Sequence, residues 1–280
     1  MPAWSHFFTA ALIIINACSD PENKLTVMQP DSPIKKIEKT IGGISLPPGF
    51  DYVESTDTAY TNWLLDITLK KSNTVYLYNG KLTPNQDVHY DVLDIDIGTK
   101  DLVQCADAAM KLKSDYLYEK HKFSDLNFVT TSGDSISFQN WLNGTRWKEK
   151  DQRLISYRTS RQVTDTNHEY NRFMELVYSY CGSYSLSKQL KRVANLSSIQ
   201  PGDIFIEGGF PGHAVTVMAV AKNAKGKCIF LLSQGYMPAQ DIHILKNYGK
   251  PGFSPWYDLD DVYPLYTPQW QFEKGSLKRW

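Results

Sequence analysis

The chain has 280 residues, 42% of them hydrophobic and 13% aromatic, enough to bury the core of one large domain. Lys plus Arg and Asp plus Glu each total 30, so the formal net charge is zero. A neutral chain has no bulk electrostatic pull on nucleic acid, which is set aside as a partner, and no repeat at a solenoid or propeller period is present.

Phe7 to Ala17, FFTAALIIINA, is an apolar run. It is too short to span a bilayer, which takes about 20 apolar residues, and has the length of a signal-peptide h-region. It runs into Ile15-Asn16-Ala17-Cys18, an aliphatic residue, then a small residue, then a Cys, as in a lipobox. There the thiol accepts lipid and becomes the mature N-terminus. Residues 1–18 are therefore read as a lipoprotein signal peptide, with a lipid on Cys18 as the membrane anchor. A core segment ending in a structural Cys is the competing reading, disfavoured because a polar stretch follows at once. That stretch, residues 19–40, is rich in Pro and charge and reads as a flexible tether. Residues 41–280 are expected to form a single globular domain. The expected location is the cell envelope, lipid-anchored, and Ser19 after the Cys is compatible with outer-membrane sorting.

Within the body, Ala59 to Leu69 has helical apolar spacing. Thr74 to Tyr78 is β-rich and is followed by the Asn79-Gly80 turn signal. His89 to Ile97, HYDVLDIDI, alternates as a strand does. Asp101 to Tyr118 is the clearest helix, with Leu102, Cys105, Ala109, Leu112 and Tyr116 on one face. Asp101 is its expected cap, with Gln104 three residues later as in a capping box. Leu126 to Thr131 is expected as a strand and Ser137 to Leu142 as a short helix or turn. Glu169 to Tyr180 and Ser185 to Val193 are expected as helices. The chain then turns β at 203–207, 213–221, 228–234 and 241–245, with links short enough for antiparallel neighbours. Helices first and a sheet afterwards predict an α+β fold.

Of four cysteines, lipidation removes Cys18 and leaves an odd number: 105, 181 and 228. Cys181 could pair with Cys228, or all three could be reduced and buried. No Cys/His cluster has zinc-ligand spacing, and no metal or other cofactor is called for.

A thiol hydrolase needs a thiolate near a helix N-terminus, an imidazole to take the proton, and a polar group that holds the imidazole in one tautomer. Cys105 fits the first by position. His213 fits the second, opening a strand after the Gly208-Gly209-Phe210-Pro211-Gly212 loop. Gln234, at the end of the next strand, fits the third. Gln104 and the Cys105 backbone N–H are candidate oxyanion donors.

The segment IQPGDIFIEGGFPGHAVTVMAV, residues 199–220, resembles the core of papain-like amidases and peptidases of the NlpC and CHAP kind. That resemblance implies a papain-like core, with a helix bearing Cys105 packed on an antiparallel sheet bearing His213. It implies Cys105 as nucleophile, His213 as base and Gln234 as orienter. Gln104 stands where Asp is usual in NlpC enzymes, and His, Asn, Asp or Glu is more usual than Gln at the third position. Residues 75–118, together with PGDIFIEGGFPGHAVTVMAV, FLLSQGYMPAQDIHIL and SPWY, are also similar to domain-of-unknown-function family 4846 of bacterial lipoproteins. This likeness runs from about Leu46 to Tyr257 and implies one domain holding both Cys105 and His213.

The sequence also offers blander readings. Cys105 on an apolar face reads equally as a buried, inert thiol. His89 could sit at the cleft beside the candidate site, or be a half-exposed strand residue; His243 has the same bland reading. Asp94 and Asp96 share a strand face, either for a cation or simply as its solvated side. Trp63, Trp141, Trp147 and Trp256 could line a sugar or peptide groove, with buried core as the default. The expectation is an envelope cysteine amidase or peptidase acting on peptidoglycan peptides. The alternative is a non-catalytic binding module on the same fold.

Overall fold

In a computed structural model of the chain, residues 39–280 are described, except 54, 161–162 and 261–262. The expected signal peptide, Cys18 and nearly all of the expected tether lie outside the described residues.

The chain begins with strand β1 (Phe50–Tyr52), helix α1 (Thr58–Asp66) and strand β2 (His89–Val92). Helix α2 (Cys105–Glu119) leads to β3 (Asn127–Val129), β4 (Ser135–Ser137) and the short α3 (Phe138–Leu142). A long hairpin of β5 (Thr145–Lys150) and β6 (Arg153–Arg158) precedes α4 (Thr166–Tyr180) and α5 (Ser183–Gln189). Then come β7 (Lys191–Arg192), β8 (Ile204–Glu207), β9 (His213–Asn223), β10 (Cys228–Gln234) and β11 (His243–Leu245). The chain closes on β12 (Tyr257–Asp258), β13 (Leu265–Tyr266), β14 (Gln271–Phe272) and β15 (Leu277–Arg279). Among the described residues the fold is α+β with antiparallel sheets, and these residues cluster as one compact unit.

The main sheet runs β2-β11-β10-β9-β8-β15-β7, with β1 added on β9 and β12 on β10. Alternation along its central strands makes two cores. Ile206, Ala214, Leu231 and Ile244 face α2, meeting Ala106, Ala109, Met110 and Leu112. Phe205, Val215, Phe230 and Leu232 face the other way and are covered by Tyr257, Leu265, Phe272 and Leu277 from the C-terminal segments. Leu231 pairs with Ala219 but Leu232 pairs with Val217, so Met218 is the extra residue of a bulge.

Several elements differ from the sequence expectation. The helix expected from Asp101 starts at Cys105, because the Asp101 carboxylate is engaged elsewhere: it accepts from the Ala239 N–H at 2.7 Å and the Gln104 side chain at 3.1 Å. Residues 74–78 form isolated bridges rather than a strand, although the Asn79-Gly80 turn is present with Gly80 at φ +78. The helix expected over 185–193 ends at Gln189, where the chain turns extended to pair with β15. The alternating run 89–97 is a strand only to Val92, and Asp94 and Asp96 are exposed. No helix among the described residues is long and apolar enough to cross a membrane.

Candidate functional site

Cys105 is the first residue of α2, and Gln104 is its cap. The Asp107 carboxylate accepts from the Gln104 backbone N–H at 3.1 Å, which satisfies that donor and fixes the entry of the chain. The Gln104 amide donates to Asp101 instead of capping the helix or facing the thiol. Gly235 lets the start of α2 approach the sheet, and Gly212 is crowded by α5 and the end of β8. A Cβ on Gly235 would lie 2.8 Å from the Gln104 carbonyl oxygen and 3.0 Å from the Ala108 Cβ, so only glycine lets the end of β10 pass so close. A Cβ on Gly212 would meet Ser183 Oγ at 2.3 Å and the Glu207 carbonyl at 2.6 Å.

As a result the Cys105 sulfur reaches the backbone on either side of His213. The thiol donates to the Gly212 carbonyl at 3.9 Å. Backbone N–H groups of Ala106 and Ala214 favour its thiolate. Burial outweighs them, with the Asp107 charge adding to it, and the thiol pKa is pushed up. The helix start therefore does not make this a low-pKa thiol in the free chain, contrary to what position alone suggests. Asp107 is itself driven well up by burial, and its Oδ1 has no partner among the described residues, so burial is the dominant influence on Cys105.

His213 opens β9 and is buried against Trp270, Tyr236 and Phe272. Its Nε2–H donates to Gln234 Oε1 at 2.9 Å, so the structure brings these two predicted residues together. Burial lowers the His213 pKa to about 4, the Gln234 bond opposing the shift. The ring is thus neutral at pH 7. Its Nδ1 has no hydrogen-bond partner among the described residues and is not sealed from solvent as His89 Nδ1 is. No hydrogen bond joins the ring to Cys105, whose bond goes to Gly212.

The expected half-exposed strand histidines are both buried, His89 at 1% and His243 at 0% exposure. The C-terminal segments cover this face of the sheet, and nothing in the alternation of β2 or β11 announces that cover. His243 accepts from the Gln234 amide at 3.3 Å and donates from Nδ1 to the Asp241 carbonyl at 2.8 Å. The His89 ring stands edge-on to His243, 5.8 Å between centroids, and its Nε2–H donates to Asn73 O at 2.8 Å rather than lining a cleft. Gln269 also accepts from the Gln234 amide. Sequence reading missed Gln269, Tyr236 and Trp270 because none carries a local pattern. Cys105, Cys181 and Cys228 are all free thiols, so the 181–228 pair does not form. Trp141 and Trp256 are buried, while Trp63 and Trp147 pack partly exposed against the core.

Residues 41–279 match the family described as "Domain of unknown function (4846)". The chain belongs to that family. No curated protein and no solved structure matches the chain. In this member of the family, the residues gathered around His213 come from β9, β10, β11 and the loop at 267–270, all within the matched span.

Proposed function

We propose that the chain is a papain-like cysteine amidase or peptidase, held in the cell envelope by a lipid on Cys18, that cleaves peptide amides such as those of peptidoglycan. The observation that carries this reading is the pairing of His213 Nε2–H with Gln234 Oε1. It leaves the Nδ1 lone pair of a neutral imidazole available as a base, one residue from the carbonyl that the Cys105 thiol touches.

In the proposed reaction the Cys105 S–H proton passes to His213 Nδ1 as sulfur bonds to the substrate carbonyl carbon. The C–N bond then breaks, and the imidazolium returns the proton to the departing nitrogen. Water, deprotonated by the same Nδ1, releases the acid from the thioester and restores the thiol. N–H groups at the start of α2 are the oxyanion donors in this scheme. Gln104 is not among them: its amide is tied to Asp101 and its backbone N–H to the Asp107 carboxylate, which leaves the Cys105 N–H as the donor beside the thiol.

The test is incubation of the purified chain with peptidoglycan peptides, followed by mass spectrometry for new amine and acid ends. Cleavage lost in both Cys105→Ala and His213→Ala is expected. Cleavage that survives Cys105→Ala overturns the assignment. The elevated thiol pKa and the Gly212 bond favour a second reading, a binding module with an inert thiol. That reading gains if the peptides bind to wild type and Cys105→Ala alike and are never cut.

A further inference from the structure

A buried amide beside two imidazoles could face either way, and the direction decides which nitrogen of His213 carries the proton. Here one backbone carbonyl fixes the choice. The Asp241 carbonyl can only accept, so His243 Nδ1, 2.8 Å away, carries a hydrogen. The carbonyl is itself held in place. The Asp241 carboxylate accepts from Lys70 Nζ at 2.8 Å and the Tyr76 N–H at 3.0 Å.

With Nδ1 protonated, a neutral His243 has only a lone pair at Nε2. Burial holds the ring neutral, its pKa pushed down to about 4. The lone pair must be met by a donor, and the group 3.3 Å away is the Gln234 amide nitrogen. Gln234 therefore turns Oε1 toward His213, which must answer with Nε2–H, and the His213 lone pair is left at Nδ1. Gln269 accepts the remaining Gln234 hydrogen, but its own amide can rotate, so it follows the direction without setting it.

We infer that His243 is a positioning residue, which fixes the tautomer of His213 through Gln234 and so aims the base. Its role in catalysis rests on the hydrolase reading above; its effect on the tautomer does not. The chain of bonds runs from a backbone carbonyl through two imidazoles and one amide, with every donor facing an acceptor until the open Nδ1.

The experiment is long-range ¹H–¹⁵N correlation NMR of the histidine rings in the full chain at pH 7. Wild type is expected to show His243 as the Nδ1–H form and His213 as a single Nε2–H form. His243→Leu removes the lone pair that pins the amide, and His213 is expected to become a mixture of both tautomers. Gln269→Ala is expected to leave the single Nε2–H form. The inference is overturned by an Nδ1–H form of His213 in wild type, or by an unchanged single form in folded His243→Leu. The wild-type spectrum alone decides if that variant does not fold. Failure to cut peptides would remove the hydrolase reading and leave the tautomer result standing.

Discussion

Two buried polar groups in this molecule are built on opposite principles. Under α3 and α4, Glu169 accepts from Trp141 Nε1 at 2.6 Å, Arg146 at 2.8 Å and Arg172 at 3.0 Å. Arg146 also donates to the Trp141 carbonyl at 2.6 Å and the Thr145 carbonyl at 2.9 Å. This is a charged clamp, with both Glu169 oxygens engaged and Arg172 at its partly exposed rim, that fastens the β5–β6 hairpin to the helices. Beneath the C-terminal cover, His213, Gln234 and His243 form an uncharged relay that is satisfied at one end and open at the other. A closed set of charges can only hold. A directional set with a free lone pair at its end can act, and that difference is the reason the proposed chemistry is assigned to the His213 end.

Breaking the clamp gives the largest expected loss of stability. Glu169→Ala strands Arg146 in a buried setting and should cost about 3–5 kcal/mol in urea unfolding, with Cys105 reactivity unchanged. A fall in thiol reactivity in the folded variant would show that the two groups are coupled.

Acid should separate the two next. His213 and His243 sit near pKa 4 folded against about 6.5 unfolded, so the unfolded chain binds more protons between those values. Stability is fully present above pH 6.5 and falls as pH drops toward 4, by roughly 3 kcal/mol for each ring at about 1.36 kcal/mol per unit. Burial pushes the Glu169 pKa up, but the bonds from Trp141 and Arg172 and the two guanidinium charges hold it below its ordinary 4.5. The clamp therefore keeps its contribution through this window and loses it only as pH falls further. A flat stability curve from pH 7 to pH 4.5 would contradict a neutral buried relay.

Two smaller effects sharpen the picture. Gly235→Ala would push a Cβ against the Gln104 carbonyl at 2.8 Å and should cost about 1–3 kcal/mol, moving Cys105 relative to β9. Phe210, 81% exposed on the loop before His213, should lose less than about 0.5 kcal/mol on change to Ala, so any loss of peptide cleavage there reports substrate contact.

The legible part of the fold was the part with local rules. Alternation and short links located the strands over 203–245, and β10 spans the expected 228–234. The start of α2 falls later than its local signals indicate, because the Asp101 carboxylate serves Ala239, far along the chain, and Gln104 takes the cap position. β12 to β15 are two or three residues long and exist only by pairing with distant segments, so no period betrays them. The same segments supply Trp270 and Phe272, which bury the His213 face. That is why His213 and Gln234 could be matched from sequence while His243 looked half-exposed: its partners lie at 241 and 234, but its burial comes from elsewhere.

The most direct test of the Cys105–His213 pair is the rate of alkylation of Cys105 by iodoacetamide at pH 7, in wild type and in His213→Ala, read by mass spectrometry of the Cys105 peptide. General-base help from the open Nδ1 predicts a rate about 100-fold lower in the variant. Equal rates in the two folded proteins would mean that the imidazole never reaches the thiol, and would end the case for a catalytic pair.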